Sequence, residues 1–269
     1  MLRIITPKTS KTLRHTIIGP VYSSMNPSAN PTAPLHSPTP TTEPPPVWFL
    51  VPEGFFALPL ALEPEERAER ARSFVRELYS RGDERVWDPA TPYFAAMAEL
   101  MGNTGLSYAA LGLFSTSEEE QTSSGTGEIA RHDLSVGAAQ CAFTLAAIPT
   151  DQADTDTDVA TQGILATLSK DPYNEVEWLD LPCGPAASCT TWRQFTINKD
   201  FSASGDTTDL VTAQIQVYVP FPTGAFTAVF TLFTASVDHW AQFVELMGAV
   251  LKTVSFAEPP EALTETPGR

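Results

Sequence analysis

The chain has 269 residues, 42% of them hydrophobic, and a formal net charge of −16. Residues 1–46 carry Arg3, Lys8, Lys11 and Arg14 against Glu43, a net of +3, which leaves −19 on residues 47–269. A body that acidic repels phosphate backbones, which argues against nucleic-acid binding, and it would attract a basic partner. No apolar run reaches the roughly 18 residues needed to span a membrane.

Met1–Pro20 is a poor secretory signal, because Lys8, Lys11, Arg14 and His15 interrupt any apolar core. Asn26–Pro46 is a Pro/Thr/Ser tract with little to bury, so residues 1–46 read as a disordered leader. A proline-motif ligand for an aromatic groove is the sharper alternative for this tract.

Order is expected from Val47. Val47–Phe56 is rich in strand formers, with Pro52-Glu53-Gly54 as a turn or bulge that divides it. Glu63-Pro64-Glu65-Glu66 opens a helix, with proline in the first turn and acids at the positive end. Ala68, Ala71, Val75 and Leu78 form its inward stripe, and Gly82 is expected to end it. A shorter helix is predicted over Thr91–Met101. Met97 and Met101 on it could be soft metal ligands, but a core stripe accounts for them better. A strand over Leu106–Phe114, a polar loop over Ser115–Glu128 and a strand over Leu134–Ile148, bulged at Gly137, follow. On the last of these Cys141, Phe143 and Leu145 share a face.

Asp154, Asp156 and Asp158 have the first spacings of a calcium loop. The match then fails, because Val159 stands where glycine is needed and Leu165 where a bidentate Glu is needed. Thr157 or Asp158 is instead expected to cap a helix over Val159–Leu168. Val176–Leu181 and Thr190–Ile197 read as paired strands joined by a loop through Cys183 and Cys189.

Leu210–Phe256 is the stretch with the clearest pattern. Val211, Ala213, Ile215, Val217 and Val219 point one way, and Thr212, Gln214, Gln216 and Tyr218 the other. Pro220, Pro222 and Gly224 turn the chain into a strand over Phe226–Thr234. A helix over Asp238–Val254 then places Trp240, Phe243, Val244, Met247, Val250, Leu251 and Val254 on one stripe. Residues 258–269 read as a disordered tail.

Chemistry is harder to find. No G-x-S-x-G elbow, P-loop, dinucleotide fingerprint or H-E-x-x-H is present. Cys141, Cys183 and Cys189 are too few for a disulfide framework, and a C-x5-C pair without further ligands is no zinc site. A catalytic thiol needs a base, and neither His132 nor His239 has a context that supplies one. Free thiols in a cytoplasmic protein are the expectation. A secreted module with a Cys183–Cys189 disulfide is the alternative.

Three phrases carry a resemblance. They are Leu181-Pro182 with Gly184-Pro185-Ala186, Val217-Tyr218-Val219-Pro220 with Pro222, and Thr231-Leu232-Phe233-Thr234 leading into the last helix. They resemble a family of uncharacterised actinomycete proteins across Val47–Phe256. The element order is similar to the PsbP-like fold, an antiparallel sheet covered by helices and ending in a long C-terminal helix. The resemblance implies a binding or assembly module, and it assigns no functional residue, because the matching residues are turn and strand formers.

The expectation is one α+β domain over 47–257, with an antiparallel sheet of about six strands packed by helices. Its expected function is a non-catalytic binding or accessory module that docks a protein partner. The alternative is a hydrolase or thiol-dependent enzyme using Cys183 or Cys189. No catalytic, cofactor-binding or metal-binding residue is assigned. The Thr212, Gln214, Gln216, Tyr218 face is the candidate contact surface.

Overall fold

Alternation along the chain's second half builds the centre of an antiparallel sheet. The computed structural model describes residues 3–4, 14–18, 44–61, 63–115, 138–150, 155–201 and 205–258, with backbone alone for 3–4, 14–18 and 201. Two short strands, β1 (Arg3–Ile4) and β2 (Arg14–Ile18), precede β3 (Val47–Val51) and β4 (Phe55–Ala57). Helices α1 (Pro64–Leu78) and α2 (Glu84–Gly102) then form a hairpin. Strands β5 (Leu106–Ser115) and β6 (Ala138–Pro149) lead to α3 (Thr157–Leu168). The chain finishes with β7 (Glu175–Leu181), β8 (Gly184–Ile197), β9 (Thr208–Pro220), β10 (Phe226–Thr234) and α4 (Trp240–Leu251).

Six long strands make the body of the sheet in the order β5-β6-β10-β9-β8-β7, all antiparallel. The short strands β1 and β4 pair end to end along the outer edge of β5. Much of the expected leader lies outside the described residues. Two of its described parts pair as strands, Arg3–Ile4 with β5 and Arg14–Ile18 with β3, and the third, residues 44–46, leads into β3. The loop expected over 115–128, like His132 and Asp154, lies outside the described residues after Ser115.

The first face of the sheet holds the main core. Phe114, Phe143, Leu145, Val217, Val219, Phe230 and Leu232 are all but fully buried there. Strand β3 crosses this face, and its Phe49 ring meets Tyr108 at 5.4 Å, Phe230 at 5.6 Å and Phe143 at 6.1 Å. Beside β3 lies α4, whose Phe243 sits 5.9 Å from Phe114 and whose Met247, Val250 and Leu251 are buried. Trp48 and Ser255 exchange backbone hydrogen bonds at 2.9 Å, tying β3 to the segment after α4. The last helix is thus a core lid, as its stripe predicts, although Val244, expected on that stripe, is exposed.

A second, smaller core lies under the helical hairpin. Phe74 of α1 and Phe94 of α2 meet at 4.8 Å, with Val75 and Phe56 beside them. Helix α2 begins at Glu84, earlier than the expected Thr91, and contains both Pro89 and Pro92. Its start is set by Asp83, whose side chain accepts from the Arg85 N–H at 3.0 Å. Trp87 is then held against α1 through its indole N–H to the Tyr79 carbonyl at 3.0 Å. Tertiary anchoring of that first turn outweighs the helix-breaking tendency of the two prolines.

Two further expectations are corrected by the backbone. The helix after the aspartates is capped by Asp156, which accepts from the Asp158 N–H at 2.9 Å, and not by Thr157 or Asp158. The stretch expected as a loop between Leu181 and Thr190 is strand from Gly184 onward. Gly184 takes φ +131°, a conformation open to glycine, so β7 and β8 close through a tight turn at Pro182-Cys183.

Candidate functional site

The second face of the sheet is covered unevenly. Helix α3 packs over β7, β8 and β9 at one side, and α1 and α2 flank β4 and β5 at the other. Thr161 anchors α3, fully buried and donating to the Pro185 carbonyl at 3.4 Å. Between these flanks the middle strands carry exposed side chains, among them Gln140, Ala142, Ile148 and Phe233. Ile148 is 47% exposed and Phe233 40%, high for large apolar groups on central strands.

The register shows which side chains share this surface. Phe233 pairs with Ala142 and Gln214, Thr231 with Thr144 and Gln216, and Val229 with Ala146 and Tyr218. Of the four residues expected to form a polar contact face, Thr212 is buried, at 3% exposure. Gln214, Gln216 and Tyr218 remain half-buried and join the open strip. Tyr218 donates its hydroxyl to Gln216 Oε1 at 3.2 Å, and Gln216 Nε2 donates to Thr231 Oγ1 at 3.4 Å, so a short polar chain runs along β9 and crosses to β10. No Asp, Glu, Lys or Arg of β5, β6, β9 or β10 points to this face, as the pairing register requires.

Where α3 overhangs the sheet the surface deepens into a groove of about 590 Å³. Its floor includes Tyr218, Thr227 and Val229, and its wall Gly163, Ile164 and Leu168. The hairpin end of β9 and β10 closes one end, where Thr150 donates to the Gly224 carbonyl. Burial pushes the Tyr218 phenol above its ordinary range, with Cys189 adding to the shift.

The cysteines do not assemble a nucleophile. Cys141 is buried in the main core, and burial pushes its thiol up to about 12. Burial also raises Cys183 and Cys189, the latter with a further push from Asp171. All three are free. Cys183 sits in the β7–β8 turn and Cys189 lies within β8, about 20 Å further along at roughly 3.3 Å per residue. That separation is far beyond the reach of a disulfide, so the secreted-module alternative loses its bridge.

His239 lies at the start of α4, beside Trp240, whose ring meets Trp192 edge to face at 5.3 Å. Cys183, in the turn before β8, lies about 30 Å along the chain from Trp192 in mid-strand. Cys189 shares the face under α3, whereas α4 covers the other face. His239 therefore serves neither thiol. Met97 packs into the small helical core. Among the described residues no group of three metal-binding side chains converges, and no helix is long and apolar enough to cross a membrane.

The groove itself was not anticipated from the sequence. Gly163, in mid-helix, is the residue in the sequence that marks its wall. Comparisons with protein-family models, curated proteins and solved structures return no match.

Proposed function

We propose that the protein is a non-catalytic binding module that docks a protein partner across the open sheet face. The observation that carries this reading is the absence of charge from β5, β6, β9 and β10 on that face, with Arg193 of β8, opposite Thr212, at its border. The chain carries −19 over residues 47–269, yet the strands β5, β6, β9 and β10 present only uncharged side chains there. Interface cores are depleted in charge in the same way, and exposed apolar groups such as Phe233 and Ile148 on a rigid sheet supply contact area. The acidic surroundings would steer a basic partner toward it. The resemblance to PsbP-like domains, which mostly act as binding modules, supports the same reading.

A photo-crosslinking residue placed at Ala142 tests this in native cells. The expected result is a discrete protein adduct, absent when the same residue replaces Arg70 on the outer side of α1, and abolished by Phe233→Lys. Adducts that are identical from both positions, or none from Ala142, would overturn the reading.

A further inference from the structure

We propose that the groove between α3 and the sheet is a ligand site in its own right, for an uncharged, lipid-like small molecule that carries a hydroxyl or N–H donor. This inference does not depend on the partner reading.

Size comes first. A volume of about 590 Å³ falls inside the range, about 300–1,000 Å³, of pockets that enclose small organic ligands. Chemistry comes second. Ile148, Val229, Ile164 and Leu168 give an apolar lining, and every polar group there is a neutral hydroxyl or backbone group. An ion entering would lose hydration with no counter-charge to replace it, so the site selects against charge. Because the Tyr218 hydroxyl spends its proton on Gln216, its oxygen faces a ligand as an acceptor, and a ligand donor matches it.

Gly163 marks the exposed wall of the same groove. It stands in the middle of α3 with ordinary helical geometry, and a Cβ built there meets nothing within 4 Å. No close approach or turn requires glycine at this position. Glycine in a helix interior is destabilising relative to alanine. What its missing side chain provides is open space on the groove wall.

The test uses purified full-length protein and N-phenyl-1-naphthylamine, a neutral apolar amine with one N–H whose fluorescence rises on burial. Wild type is expected to bind it saturably at one site. Gly163→Leu fills the groove from the wall and is expected to weaken binding by at least about tenfold while Tm holds or rises. Tyr218→Phe is expected to weaken it several-fold. The sulfonated analogue 1-anilinonaphthalene-8-sulfonate is expected to bind at least about tenfold more weakly than the neutral probe. Absence of saturable binding, equal binding by Gly163→Leu, or tight binding of the anionic probe would each overturn the proposal. Crosslinking from Ala142 reads the partner surface separately, so the two proposals fail independently.

Discussion

Gly112 of β5 lies directly across from Cys141 of β6, and a Cβ on Gly112 would come within 2.5 Å of the Cys141 sulfur. The same atom would crowd Phe114 at 2.9 Å and Phe55 at 3.0 Å. Gly112→Ala is therefore expected to overpack the main core and cost about 1–3 kcal/mol, seen as a lower Tm or urea midpoint. Adding Cys141→Ala removes the sulfur and should recover part of that loss, a coupling that a double-mutant cycle measures. Strictly additive effects would show that the two side chains do not compete for one space.

Alkaline pH should destabilise the protein through the same cysteine. Its thiol titrates near 9.0 in the unfolded chain and at about 12 in the fold. The folded state thus holds its proton where the unfolded state releases it. The contribution is fully present below about pH 9 and is lost as pH rises toward 12. Urea midpoints measured from pH 8 to 11 should fall, and Cys141→Ala should flatten the slope. The raised Tyr218 hydroxyl adds in the same direction. All three thiols should also react slowly with a thiol reagent at neutral pH, because little thiolate is present in the native state.

The helical hairpin should open on its own. Its small core, built on Phe74, Val75, Phe94 and Phe56, is separate from the main cluster under α4. Phe74→Ala is expected to cost about 3–5 kcal/mol. Native-state hydrogen exchange should then accelerate in α1 and α2 well before α4 and the central strands. Uniform acceleration throughout the chain would show that the two cores are one cooperative unit.

Asp156 caps α3, so Asp156→Ala should lower stability by about 0.5–2 kcal/mol, and Asp156→Asn should restore most of it. Addition of calcium should leave Tm unchanged, since the carboxylate is occupied with the Asp158 N–H. A calcium-dependent rise in Tm that Asp156→Ala removes would contradict the capping role.

Local pattern was enough to place the last hairpin and the helix that follows it. The alternation from Ala213 to Val219, the Pro220–Gly224 turn, the Phe226–Thr234 strand and the apolar stripe around Phe243 and Met247 all occur where periodicity places them, whereas Val211 is exposed and Thr212 buried, against the pattern. Each is a short-range property, with one side of an element buried and the other not. The tertiary structure decided which side is covered, and by what. Thr212 reads as a surface residue in its own strand yet is buried, and Trp87 holds together a helix that its prolines alone would interrupt. The groove under α3 depends on that helix docking over β8 and β9, strands that follow it in the chain. Periodicity within one segment says nothing of which distant segment will cover it. The uncharged strip and the open wall at Gly163 therefore emerge only once the strands are paired and the helices laid on them.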